Sequence, residues 1–132
     1  ALTKQIIKSM EKDTDFILAS YDMADVVAHE SDFEGTVKIL EFFDECLARI
    51  MESASLNFYT VVLTSSHGNV EEMFKEESKV STVNTVNKVP FIITDSKIGL
   101  ADGVLTDVAP TLLSYMDISI PETMNGKILI KD

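Results

Sequence analysis

Apolar residues follow two different periods along this chain. Leu2, Ile6, Ile7 and Met10 recur at helical spacing and predict a short helix over residues 2 to 11. Phe16-Ile-Leu-Ala19 is a compact apolar run bounded by polar residues, the pattern of a buried strand. From about Ser20 to Asp32 the pattern lapses, which predicts a loop. Ser31-Asp-Phe-Glu34 then carries the spacing of a capping box and opens the longest predicted helix, to about Glu52. Val37, Leu40, Phe43, Leu47, Ile50 and Met51 share one face of it, widened by Ile39, Phe42 and Cys46, so it should be well buried.

Phe58 to Thr64 is uncharged and rich in β-branched and aromatic residues, as expected of a central strand. Gly68 and Asn69 interrupt, Val70 to Lys75 reads as a short helix, and the polar stretch Glu76 to Lys88 as a loop. Val89 to Thr94 is a further strand, with Pro90 tolerated near its start. Thr106 is a plausible N-cap for a helix to Tyr115 or Met116, and Ile128 to Ile130 predicts a last short strand. Helices alternating with strands indicate an α/β class with a mainly parallel sheet.

The 132 residues, 45% hydrophobic and 25% charged, suit one globular domain spanning 1 to 132. The formal net charge of -11 argues against nucleic acid and against anionic membranes as partners, because phosphate-rich surfaces are bound through cationic side chains. Cys46 is the sole cysteine, so no intramolecular disulfide forms and a reducing, cytoplasmic compartment is expected. No apolar run approaches the roughly 20 residues of a membrane span. The first residue is alanine, which points to a processed product, an expression product or a piece of something longer.

The candidate chemistry lies in three segments. Met23-Ala-Asp25-Val-Val-Ala-His29-Glu-Ser-Asp32-Phe-Glu34 is the first, Ser65-Ser66-His67-Gly68-Asn69 the second, and Ser81-Thr-Val-Asn84-Thr-Val-Asn87-Lys-Val-Pro90-Phe91 the third. Both histidines of the chain fall inside them. Taken alone, an Asp and a His four apart are ordinary surface residues. Together the three segments resemble the C-terminal part of cofactor-independent phosphoglycerate mutase, an isomerase of glycolysis in the alkaline-phosphatase-like metalloenzyme superfamily. The family pattern at the first segment is roughly Asn-Pro-Asp-Met-Val-Gly-His-Thr-Gly-Asp-Phe-Glu, and the resemblance implies Asp25 and His29 as ligands of one metal ion. At the second the family has Ala-Asp-His-Gly-Asn, so His67 is the implied ligand of the other ion while Ser66 replaces a carboxylate. At the third, Asn84 stands where the family has a metal-binding histidine.

The resemblance implies manganese as cofactor and an alkaline-phosphatase-like fold. The nucleophilic serine, an aspartate ligand and the phosphoglycerate pocket lie in the family upstream of the part matched, so no catalytic residue is assigned. Asp107 matches another family segment and reads as a helix-start residue. Three functional expectations follow. The first is a phosphoglycerate-mutase-like segment with a degraded dimetal site, inactive alone. The second is a non-catalytic pseudoenzyme or interaction module, self-associating through an apolar sheet edge. The third is a segment completed by an upstream N-terminal half.

Overall fold

The computed structural model describes residues 1–30, 32–75, 79–80 and 83–131, and these group into two compact units, 1–92 and 93–132. In the first unit, helices α1 (Leu2–Met10), α2 (Met23–His29) and α3 (Phe33–Leu56) are followed by strand β1 (Val62–Thr64), which pairs with β4 (Phe91–Ile93). Between them come a 3-10 turn at Val70–Glu72 and the antiparallel pair β2 (Phe74–Lys75) and β3 (Lys79–Val80).

The core of this unit is the α1–α3 contact. Ile6 and Met10 meet Ile50 and Ala54, with Leu2, Ile17, Tyr21, Tyr59 and Val61 packed around them. Polar groups at the margin are paired. The Tyr21 hydroxyl shares a 2.8 Å hydrogen bond with Thr3, its ring packs on Phe43 at 4.9 Å, and the Tyr59 hydroxyl donates to the Thr14 carbonyl.

Helix α3 starts at Asp32, whose carboxylate accepts from the Gly35 amide at 2.8 Å. A side chain on Gly35 would collide with that carboxylate and press on Val27 of α2, so glycine here lets the cap form and α2 approach. The expected capping box involves Ser31, which lies outside the described residues. The buried face of α3 is Thr36, Cys46, Ile50, Ser53 and Ala54. The face expected from periodicity is rotated relative to it: Ile50 is buried, but Val37, Leu40 and Met51 are each more than a third exposed.

The expected loop at 20–32 is largely helix. Two turns are too short for periodicity to declare, but packing on α3 buries Ala28 completely and stabilises α2. The expected strand at Phe16–Ala19 is not formed. The segment finds no ladder partner among the described residues, and only Ile17 turns to the core while Phe16 and Leu18 stay exposed. The helix expected at 70–75 shrinks to the 3-10 turn, and the loop expected at 76–88 contains β3.

In the second unit, β5 (Gly99–Leu100) pairs antiparallel with β6 (Ile130–Lys131), and a 3-10 turn at Leu105–Asp107 leads into α4 (Val108–Tyr115). The N-cap expected at Thr106 falls one residue later, on Asp107, a helix-start residue as expected, and its carboxylate serves other backbone. It accepts from the Val104 amide at 2.9 Å and from the Lys127 amide at 2.7 Å. Those bonds, Lys127 first, hold its carboxyl below the usual range. Thr111, fully buried, donates to the Asp107 carbonyl and accepts from the Leu129 amide, completing the unit's polar centre.

Helices with small sheets are thus present, and among the described residues the β2–β3 and β5–β6 pairs are antiparallel. No helix among the described residues is long and apolar enough to cross a membrane.

Three helices end on left-handed residues that are not glycine: Asp13, Phe58 and Asp117. The chain recovers the lost carbonyl bonds by Schellman closures, with Thr14 donating to Ser9, Tyr59 to Ala54 and Ile118 to Leu113. Phe58 is 97% exposed, so its ring gains nothing from packing. Replacing Phe58 with glycine should raise stability by about 1 kcal/mol in urea denaturation, because only the backbone penalty is removed.

Candidate metal centre

Helix α2 sets the first pair of candidate ligands. Asp25 and His29 lie one turn apart on it, and the Asp25 Oδ1 to His29 Nε2 distance is 3.4 Å. Both side chains are about 40% exposed, open enough to reach an ion and close enough to share one. Across from α2, the turn that opens at Asn69 brings a third side chain. Asn69 Nδ2 donates to Asp25 Oδ1 at 2.5 Å and lies 3.5 Å from His29 Nε2.

The rest of the second segment is organised by Glu71. One of its oxygens accepts from the Asn69 amide at 2.7 Å; the other accepts from the Thr85 hydroxyl and, at 3.0 Å, from the Asn87 side-chain amide. Glu72 also receives Asn87, at 3.2 Å. Beneath this clamp the Thr85 amide donates to the Gly68 carbonyl at 2.8 Å. A Cβ on residue 68 would collide with the Glu71 carboxylate and the Thr85 hydroxyl, so a side chain here would have to displace the hydrogen bond that closes the two segments. His67 is half-buried with Nδ1 3.3 Å from the Gly68 carbonyl, and the Ser65 hydroxyl donates to the His67 carbonyl. Ser66 and Asn84 are exposed.

The structure therefore joins Asp25 and His29 with Asn69, and links the second and third segments through Glu71. Among the described residues, no three His, Cys, Asp or Glu side chains converge as a metal cluster. The donor set fits half a site: one carboxylate oxygen and one imidazole nitrogen face the same point, a combination suited to a divalent transition ion. Sequence reasoning passed over Asn69 and Glu71. Their signal was Gly68-Asn-Val-Glu71, a close-approach glycine followed by an amide and a carboxylate at turn spacing.

This geometry can be set beside known proteins. The sequence model of the Metalloenzyme superfamily matches residues 1–120. The chain belongs to that superfamily. Its relatives include proteins named 2,3-bisphosphoglycerate-independent phosphoglycerate mutase from Metamycoplasma hominis and Mycoplasmoides gallisepticum, each 39% identical over 132 residues. Another, from Ehrlichia ruminantium, is 38% identical over 133. Each match covers 98% of this chain and 26% of the relative, so the chain spans about a quarter of the length of these curated proteins. The crystal structure of Leishmania mexicana phosphoglycerate mutase at low cobalt concentration superposes with a TM-score of 0.83 at 20% identity, covering 98% of this chain and 27% of that one. The fold is thus that of a segment of phosphoglycerate mutase, and superfamily membership implies a metal cofactor.

Hydrogen bonding, chiefly from the Thr85 hydroxyl, draws the Glu71 carboxyl down to about 2 against the opposing effect of desolvation. A carboxyl depressed by folding stabilises fully above its unfolded value of 4.5, and that contribution fades as pH falls toward about 2. Glu71→Gln should therefore flatten the stability profile between those limits, read by thermal melts. Protection of the Thr85 amide, its exchange rate relative to the intrinsic rate at the same pH, should be low in the variant at every pH and fall in the native chain only on the acid side.

Proposed function

We propose that this chain is the metal-liganding segment of a phosphoglycerate-mutase-like enzyme, with Asp25 and His29 assigned to one ion and His67 to the other. The observation that carries this reading is the convergence of the Asp25 carboxylate and the His29 imidazole at 3.4 Å on a helix flanked by the His67-Gly68-Asn69 turn. Manganese is the expected metal, in a cytoplasmic enzyme whose reaction exchanges a phosphoryl group between the 2- and 3-positions of glycerate. A divalent ion held there would supply neutralisation of phosphoryl oxygens and acidification of a bound hydroxyl. The chain's own part is to hold the ligands. Asn69 and Glu71 brace them, and Ser66 and Asn84 offer neutral groups where the family has charged or imidazole ligands. The dimetal site is accordingly degraded, and the segment is inactive by itself.

An upstream half is the partner that best completes it, adding strands that would extend β1 and β4 into the mainly parallel sheet of the alkaline-phosphatase-like fold. A second reading, a pseudoenzyme or interaction module, draws on Phe16–Ala19. This apolar segment leaves Phe16 54% and Leu18 86% exposed and carries no strand pairing among the described residues, so another chain or a second copy could cover it.

Calorimetric titration of manganese and zinc separates the two. Micromolar binding in the native chain that His29→Ala abolishes supports the metal reading; silence in both leaves the interaction module. Ser66→Asp combined with Asn84→His should tighten manganese binding by roughly tenfold or more, since a carboxylate and an imidazole return to the site. Mutase or phosphatase activity should emerge only on mixing with an upstream half that supplies the nucleophile.

A further inference from the structure

Asn69 is nine-tenths buried, yet its Oδ1 makes no hydrogen bond among the described residues. Buried polar atoms are nearly always paired, because an unpaired one forfeits its water without replacement. A residue retained for packing alone would be better served by an apolar side chain of the same shape. The other end of the amide shows what offsets the loss. Nδ2 donates to the Asp25 Oδ1 that faces His29, and lies within reach of His29 Nε2 itself. The side chain cannot drift from this position, because its backbone amide is tied to Glu71 and its carbonyl accepts from Glu72 at 3.1 Å.

We infer that Asn69 is a positioning residue for the Asp25–His29 ligand pair, donating to the carboxylate so that Asp25 is already oriented when a divalent ion arrives. This rests on the metal reading proposed above. The physical basis is that a carboxylate on a short, half-exposed helix has several rotamers, and one fixed donor selects among them before binding. An ionised carboxylate oxygen has lone pairs for both this donor and an ion, and groups hydrogen-bonded to metal ligands typically change affinity by about 10- to 100-fold when removed. The arrangement also couples the motifs: the residue two positions after His67 holds Asp25, so displacement of the turn at either end disturbs both half-sites.

The decisive variant is Asn69→Leu, which keeps the shape and deletes the donor. Zinc and manganese titrations of the native chain, Asn69→Leu and His29→Ala, with thermal melts of each, give distinct outcomes. The expected result is an affinity at least ~10-fold weaker in Asn69→Leu, with a melting temperature unchanged or higher because the orphaned oxygen is gone. Unchanged affinity in Asn69→Leu, with or without a lower melting temperature, would assign Asn69 a structural role and overturn the inference while leaving the metal reading intact. Absence of binding in the native chain would overturn both. Should Asn69→Leu fail to fold, NMR of the native chain decides. The Asn69 side-chain amide proton, shifted downfield by the carboxylate, must stay shifted through saturation with diamagnetic zinc, and its collapse to the free-amide position would refute the assignment.

Discussion

The carboxylate of Glu71 is the constraint on which the candidate site depends. Three donors from two separate stretches of chain converge on it: the Asn69 amide, the Thr85 hydroxyl and the Asn87 side chain. A single anion can do this because an ionised carboxylate offers about four acceptor positions, and bonds to a charged acceptor are roughly twice as strong as neutral ones. Helices α2 and α3 place Asp25 and His29, but the turn that faces them owes its shape to this anion. Gly68 belongs to the same constraint, since a side chain there would push apart the Glu71 carboxylate and the Thr85 hydroxyl.

The site trades stability for placement. Asn69 sits buried with its oxygen unpaired while its nitrogen holds Asp25. Around it the fold is less closed than its composition suggests, with the apolar residues Val37 and Leu40 of α3 and the Phe16–Ala19 segment partly or largely exposed. The chain spans about a quarter of the length of these relatives, and among its described residues it leaves apolar surface exposed. Local order at Asp25 and His29 comes from bonds internal to residues 1–92.

Where expectation and structure part, the reason is context. Phe16-Ile-Leu-Ala19 has strand composition, but a strand exists only when a neighbour accepts and donates its backbone bonds, and composition does not supply the neighbour. The segment holding Asp25 and His29 has too few turns to announce a helix, and forms one because α3 offers a surface for Ala28. In α3 several apolar side chains remain exposed beside α1 and α2, so periodicity located the helix without locating its buried side.

The amino-acid sequence by itself determined the superfamily, the existence of α1, α3 and α4, the strand positions near 62–64 and 91–93, and the identity of Asp25, His29 and His67 as candidate ligands. These are properties of residue type and short-range spacing. Only the tertiary structure decided that Asp25 and His29 sit one helical turn apart at 3.4 Å, that Asn69 is the side chain meeting them, and that Glu71 ties the second segment to the third. Hydrogen bonds across 14 and 44 residues of chain are set by where the backbone returns. That return is governed by packing and by the anion it closes upon, neither of which leaves a periodic trace in the sequence.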